Sequence, residues 1–314
     1  MASVALMLAS SSAVAQSFPT GPVRIIVPFA AGGTSDILGR LISSRLAEVL
    51  GQPVLVENRP GANGNVGAEF VARATADGQT LLLADLGAIA INPAVYKTSY
   101  DPVRDLTGVT MVAYSPHLLV VHPSVPARSV KELIALVRAQ PGRLNFATSG
   151  LGGPPHLAGV AFAQALGLKW AYIPYKGGAA ALIDLAGGHA DVTFNGMLAT
   201  YPYVKGDRVR LLAVSGSKRY PTLPDVPTVA EAGVKDFETG SWQGILAPAA
   251  TPRPALDRLN VEIGKILNGA EMRENLTRQG AEVSTMTPDQ LSAWMKREVA
   301  KWGEVVKQAG IKLE

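Results

Sequence analysis

The sequence predicts an α/β fold with mostly parallel sheets and helices on both faces. Short apolar runs rich in β-branched residues alternate along the chain with stretches whose apolar residues recur at helical spacing. The 314 residues, 47% of them hydrophobic and 17% charged, suffice for two lobes of ordinary domain size with substantial cores. We therefore expect a folded globular protein.

The elements follow one another in a repeated strand-then-helix order. The run VRIIVPF at 23–29 predicts a strand, and apolar residues at helical spacing predict a helix at 37–50. The same patterns predict later strands at 54–57, 81–84, 118–122, 144–148, 170–174, 192–194 and 209–214, with helices at 66–74, 130–139, 155–166 and 179–186. From residue 255 onward the pattern is helical, with helices expected at 256–268 and 288–309.

Composition and motifs argue against several classes of function. Basic and acidic residues number 29 and 25, and no basic run is interleaved with aromatics, so we expect no nucleic-acid partner. The chain has no cysteine, and the spacing of its four histidines suits no local metal site, so neither a metal nor a cofactor is expected. The glycines at 61–67 follow GxxGxxG spacing, which differs from a dinucleotide-binding fingerprint and favours a closely packed turn.

The first fifteen residues resemble a secretory signal. They read MASVALMLASSSAVA and end in Ala13, Val14 and Ala15, which fits the A-x-A cleavage rule. Cleavage there would leave Gln16 as the mature amino terminus. The usual basic residues at the start are missing, so an ordinary buried first helix stays open as the alternative. No other segment reaches about 18 consecutive apolar residues, so no membrane span is expected.

Three loops carry the functional signal, at 29–36, 148–156 and 175–179. Each follows a predicted strand, is built largely of small residues and precedes a helix. Glycine lets the backbone approach a ligand closely, and the free N–H groups of a first helical turn favour an anion. Because such loops lie at the carboxyl ends of strands, where ligands of open α/β sheets bind, they predict an anion site.

Longer strings at these loops resemble a known family. RIIVPFAAGGTSDILGR, ENRPGANGNVGAEFVA, TSGLGGPPHLAG and YKGGAAALIDLAGGHADVTF look like the Bug family, the periplasmic substrate-binding receptors of tripartite tricarboxylate transporters. The likeness runs from about Pro22 to the carboxyl end. It implies a two-lobed periplasmic-binding-protein fold, joined by two crossing strands near 113–120 and 241–247. The implied division is a signal peptide at 1–15, lobe 1 at 16–117 and 244–314, and lobe 2 at 118–243.

The resemblance also assigns substrate-binding residues to both lobes. They are Phe29, Ala30, Ala31, Gly32, Gly33, Thr34, Ser35 and Asp36 on one lobe, and Thr148, Ser149, Gly150, Lys176, Gly177, Gly178, Ala179 and Asn195 on the other. We expect Thr34, Thr148 and Ser149 to donate hydroxyl hydrogen bonds, with backbone N–H groups supplied by the small residues. A carboxylate repels an anion, so Asp36 is expected to act as a helix cap or first-turn acid. Lys176 either adds positive potential or is solvated.

Two segments depart from the family pattern. The loop at 84–87 is more apolar than usual, and Asn195 stands where an aspartate is common. An amide is a weaker acceptor for an ammonium group than a carboxylate is, so Asn195 predicts a non-amino carboxylate over aspartate or glutamate. The alternative is that Asn195 lies beside the site without touching the ligand.

These observations lead to two hypotheses of function. The first is a periplasmic, monomeric receptor without catalytic activity, which closes around a small carboxylate and delivers it to the membrane subunits of a tripartite tricarboxylate-type transporter. The second is a soluble α/β enzyme acting on a carboxylate. The chain contains no GxxxxGK[ST], HExxH or GxSxG motif, which favours the receptor.

Overall fold

The computed structural model describes residues 18–309, and the predicted signal segment at 1–15 lies outside the described residues. The strands are β1 (Val23–Val27), β2 (Val54–Asn58), β3 (Thr80–Asp85), β4 (Leu106–Val121), β5 (Asn145–Thr148), β6 (Ala171–Pro174), β7 (Val192–Gly196), β8 (Arg210–Val214), β9 (Gly240–Pro248) and β10 (Glu282–Val283). The helices are α1 (Thr34–Leu50), α2 (Asn65–Ala72), α3 (Leu86–Val95), α4 (Pro102–Asp105), α5 (Val130–Ala139), α6 (Pro154–Leu166), α7 (Gly178–Ala186), α8 (Met197–Lys205), α9 (Arg253–Asn268), α10 (Ala270–Arg278) and α11 (Pro288–Ala309).

The strands form two groups that meet at a pair of crossing strands. In lobe 1, which we define by β1, β2 and β3, β1 lies between the other two and pairs parallel with both. In lobe 2, defined by β5 to β8, β5 pairs parallel with β6 and β7. The crossing strands β4 and β9 pair antiparallel with each other and with their neighbours in the lobes. The predicted two-lobed α/β fold is confirmed.

Strand β4 passes from one lobe to the other. Its residues 106–116 pair with β9, and residues 117–121 pair with β7 and β8. At about 3.3 Å per residue, a strand of this length extends for about 50 Å, which is enough to contribute to both lobes. The predicted crossing segments at 113–120 and 241–247 lie within β4 and β9.

Each lobe has a core of its own. In lobe 1, aliphatic side chains of the sheet and of α1, such as Ile25, Leu83 and Ile42, are fully buried. The lobe 2 core is more aromatic, and the rings of Phe162 and Phe194 pack edge to face with their centroids 5.7 Å apart. Separate cores allow the lobes to move as units about the crossing strands.

Prolines explain several differences between the predicted and observed elements. Helices α3 and α8 had no counterpart in the sequence prediction, and each contains a proline, Pro93 and Pro202, that is atypical of a helix interior. The predicted strand at 23–29 ends at Val27 because Pro28 has no N–H to continue the ladder. Helix α1 begins at Thr34, three residues before the predicted start, since its first turn is polar and lacks the apolar spacing.

The GxxGxxG turn at 61–67 serves close packing, as predicted. A Cβ atom added at Gly67 would lie 2.8 Å from the Cβ of Pro28, so a larger residue would push α2 away from the end of β1.

Within residues 18–309, no helix is both long and apolar enough to span a bilayer.

Candidate binding site

A cavity lies between the two lobes at the carboxyl ends of β1, β3 and β7. It is lined by Phe29, Gly33, Thr34, Ser35, Asn63, Asp85, Ala88, Ser149, Pro154, Pro155, Gly178, Asn195, Gly196, Ser241 and Gln243. Its volume is about 40 Å³, which holds only a few water molecules. The lobes are in direct contact beside this cavity, through Ala30 N and the Lys176 carbonyl, so the structure has the lobes closed.

Five helices begin at this cavity: α1, α3, α6, α7 and α8. The N-cap residues of α1, α6, α7 and α8 are glycines, which have no side chain to cap the helix, and in the first turn of α8 the Leu198 N–H donates to Ser115 Oγ at 3.4 Å. Helix α6 starts with two prolines, which lack N–H groups. First-turn amides of α1, α7 and α8, together with the positive ends of their dipoles, are thus placed to hold an anion.

Asp36 fixes the loop at 29–36 and does not line the cavity. It lies in the first turn of α1, as predicted, and its carboxylate accepts hydrogen bonds from Gly32 N (2.9 Å), Arg40 Nε (3.0 Å) and Asn58 Nδ2 (3.0 Å). Burial by itself would raise the pKa of Asp36, but the hydrogen bonds from Arg40, Gly32 and Asn58 outweigh it and lower the pKa. Its charge is therefore balanced by Arg40 and directed away from the anion site.

The lobe 2 loops are ordered by their own hydrogen bonds. The Thr148 hydroxyl accepts a bond from Gly150 N (3.2 Å), and Nδ1 of the buried His156 accepts one from Gly152 N (3.0 Å). Asn195 donates its amide to the Gly178 carbonyl (3.2 Å), which joins β7 to the start of α7. Ser149, between the two bonded residues of its loop, lines the cavity.

Several contacts join the lobes directly around the cavity. The Lys176 carbonyl accepts a hydrogen bond from Ala30 N (3.1 Å), while the Lys176 side chain is exposed. The Tyr96 hydroxyl, at the end of α3, donates to the Leu151 carbonyl of lobe 2. Gly177 has a φ of +125°, and a Cβ there would lie 3.2 Å from Ala30 N, so glycine permits this approach.

The structure brings seven of the predicted site residues to the cavity wall: Phe29, Gly33, Thr34, Ser35, Ser149, Gly178 and Asn195. The other predicted residues lie in the same loops but do not line the cavity: Ala30, Ala31, Gly32, Asp36, Thr148, Gly150, Lys176, Gly177 and Ala179. Sequence reasoning did not assign the remaining lining residues, of which only Pro154 and Pro155 lie in one of the three predicted loops: Asn63, Asp85, Ala88, Pro154, Pro155, Gly196, Ser241 and Gln243.

A buried polar network on the lobe 1 side contains several of the missed residues. The Ser35 hydroxyl donates to Gln243 Oε1 (2.6 Å), and Gln243 Nε2 faces Asp85 Oδ2 at 3.4 Å. Asp85 also caps α3 by accepting a bond from Gly87 N (2.9 Å). Burial raises the pKa of Asp85 to about 6, although hydrogen bonds from Ser241, Gly87 and other donors act in the opposite direction.

The chain matches the family model of TctC, the tripartite tricarboxylate transporter family receptor, over residues 38–311. It belongs to this family. The resemblance inferred from the glycine-rich loops is thereby confirmed. Receptors of the TctC family are periplasmic and bind solutes for a membrane transporter, so the prediction of a solute receptor is confirmed and the enzyme alternative finds no support.

Individual TctC relatives resemble the chain along most of its length. Protein BugT of Bordetella pertussis is 35% identical over 305 residues, which cover 96% of this chain and 93% of BugT. The structure of Rpa4515 from R. palustris with adipate is 39% identical with a TM-score of 0.90, covering 94% of this chain and all of that one. The structure of MatC from Rhodopseudomonas palustris with bound malate is 33% identical with a TM-score of 0.85, covering 92% of this chain and all of MatC.

Proposed function

We propose that this TctC receptor closes its two lobes around a small carboxylate and delivers it to the membrane subunits of a tripartite tricarboxylate-type transporter. The observation that carries the proposal is the convergence of helix starts with glycine N-caps on one cavity between the lobes. The ligands in the two related structures, adipate and malate, are both small carboxylates, which supports this ligand class.

The proposed contacts come from both lobes. Thr34 and Ser149 supply hydroxyl donors from opposite sides of the cavity, and the backbone at Gly33 and Gly178 supplies N–H groups. The predicted residues that do not line the cavity act indirectly, through the hydrogen bonds that hold the loops in shape, such as those of Asp36 and Thr148. A carboxylate that contacts both lobes stabilises the closed state over the open one, which is what couples binding to closure.

The lobe boundaries, the monomeric state and the signal peptide are also proposals. We place the lobe boundaries at 117/118 and 243/244, and the exchange of β4 partners between Pro116 and His117 supports the first of them. We further propose a monomer that is exported by a signal at 1–15. Amino-terminal sequencing of protein from the periplasm should begin at or near Gln16, and light scattering should give the mass of one chain. Retention of Met1 or a dimer mass would contradict these points.

Ligand identification tests the function directly. Native mass spectrometry of protein purified without refolding should show an added small carboxylate, which denaturation releases unchanged. Calorimetric titration with succinate, malate, adipate, citrate, aspartate and glutamate should give saturable binding of at least one, and X-ray scattering should show compaction on binding. Failure of every carboxylate to bind, or its chemical conversion by the protein, would contradict the proposal.

A further inference from the structure

Asp85 is an unexpected residue in the wall of an anion site. Of the described residues that line the cavity, it is the one with an ionisable side chain. It is 7% exposed, and no basic side chain lines the cavity with it. A ligand carboxylate and an ionised Asp85 in one closed, water-poor space repel each other, because little solvent remains to screen them.

The local role of Asp85 does not by itself require a charge. The cap of α3 needs one side-chain oxygen to accept the bond from Gly87 N, and serine, threonine or asparagine would provide it. The second carboxylate oxygen, Oδ2, faces Gln243 Nε2 at the long distance of 3.4 Å, and the other side chain that donates to the carboxyl group, Ser241, is also neutral. This oxygen retains capacity to accept a hydrogen bond from a molecule in the cavity.

A second hydrogen-bond acceptor in the cavity wall, Asn63 Oδ1, has no donor among the described residues. Asn63 is 8% exposed, and its Nδ2 is committed to Asn92 Oδ1 at 2.8 Å. Its Oδ1 is buried and has no hydrogen-bond partner among the described residues. Asn92 in turn donates to the Asn63 carbonyl (2.9 Å) and to Asn65 (2.8 Å), which fixes the orientation of this pair. A buried acceptor without a partner is costly, so a donor from the ligand or its water would stabilise the closed state.

We propose that Asp85 makes the receptor selective for small carboxylates that also carry a hydrogen-bond donor, either a hydroxyl or an ammonium group. The inference rests on the proposed function. The amides of α1, α7 and α8 take the carboxylate, while the Asp85 carboxylate accepts the donor from the lobe 1 side. A ligand without a donor leaves the Asp85 charge desolvated when the lobes close, with only the neutral donors of the protein to stabilise it. Selectivity thus comes from the penalty on ligands that cannot satisfy this residue.

The test uses three ligands with one carbon skeleton: succinate with no donor, malate with a hydroxyl and aspartate with an ammonium group. Calorimetric titrations at pH 7.5 compare the wild-type chain with Asp85→Asn and Asp85→Ser, both of which retain a residue that caps helices well. Hydrogen bonds to charged groups predict that the wild type binds malate or aspartate about 10- to 150-fold more tightly than succinate. Both variants should reduce this ratio to below about threefold, mainly by binding succinate more tightly.

The outcomes separate the inference from the proposed function. A preference for malate alone identifies the donor as a hydroxyl, in line with the expectation drawn from Asn195, and a preference for aspartate alone identifies an ammonium group; both support the inference. Equal binding of all three by the wild type would overturn it while leaving the carboxylate receptor intact. Succinate bound as tightly as malate, with one proton taken up, would also overturn it, since Asp85 would then be neutralised by a proton. If no carboxylate bound, the proposed function would fail and the inference with it.

Discussion

A single methyl group at Gly153 should oppose closure of the lobes. Gly153 precedes α6 in lobe 2, and a Cβ atom there would lie 2.8 Å from Asn63 Oδ1 of lobe 1. The backbone of Gly153 has a φ of −73° and a ψ of 163°, which alanine adopts without strain. The Gly153→Ala change therefore introduces a contact that is too close in the closed state and absent once the lobes separate.

The cost of the added methyl group depends on how far the Asn63 side chain can move away from it. Its amide is held by Asn92 through the 2.8 Å bond, so the side chain cannot rotate away without losing that bond. Overpacking by one methyl in a tightly packed site costs about 1 to 3 kcal/mol, and the atom displaced here is the end of a side chain, which favours the lower part of that range. We expect about 1 to 2 kcal/mol against the closed state, which is about a 5- to 30-fold weaker affinity.

Calorimetry measures the effect of Gly153→Ala on ligand affinity, and thermal unfolding measures its effect on the stability of the unliganded protein. Gly153→Ala should weaken binding of the carboxylate by this factor, while the melting temperature without ligand changes little. Gly264→Ala in α9 is the matched control, since a Cβ there meets no atom within 4 Å, and it should leave the affinity unchanged. Wild-type affinity in Gly153→Ala, or an equal loss of stability without ligand, would refute the reasoning that the methyl acts on closure.

Three further predictions test other contacts. Ser149→Ala should remove one neutral hydrogen bond to the ligand and weaken binding about 2- to 12-fold in calorimetry, and wild-type affinity would contradict its placement in the site. Tyr96→Phe removes the bond to the Leu151 carbonyl that joins the lobes, so affinity should fall by a similar factor while the unliganded melting temperature stays within about 1 °C. Burial lowers the pKa of His117 in β4 to about 3, so the neutral form is favoured in the folded state and stability is lost as pH falls below about 6.5. Between pH 7 and pH 5 the free energy of unfolding should drop by about 2 kcal/mol more in the wild type than in His117→Gln, and equal drops in urea titrations would contradict a neutral His117.

The parts of the fold that the sequence predicts are those specified by local patterns. The run of β-branched residues in β1 and the helical spacing in α1 identify a strand and a helix without reference to the rest of the chain. The glycine-rich loops are equally local, since Gly33, Gly177 and Gly178 lie next to a helix start. Six of the seven predicted residues at the cavity wall lie in these loops, and the seventh, Asn195, was assigned through the family resemblance.

The residues that sequence reasoning missed reach the cavity through tertiary structure. Ser35 and Gln243 are 208 residues apart, and only the antiparallel pairing of β3 with β9 brings Gln243 beside Asp85. Asn63 lies in a turn whose glycines explain packing but do not indicate which side chain faces the other lobe. The apolar loop at 84–87 departs from the family pattern, but the residues around Asp85 in the sequence do not predict that its carboxylate is buried.

Backbone amides and side chains have different roles in the proposed site, which suggests how receptors of this kind acquire a preference for a different carboxylate. The amides at the starts of α1, α7 and α8 are backbone groups, so they persist through substitutions that preserve the helices and serve any carboxylate equally. The side chains between them differ in chemistry and act on the rest of the ligand. In the proposed site, substitution at Asp85 or Asn195 would therefore alter which carboxylate is preferred without removing the backbone amides that hold the anion. Rpa4515 with adipate and MatC with malate share this fold at 39% and 33% identity to the chain, which agrees with a common anion site and variable side chains around it.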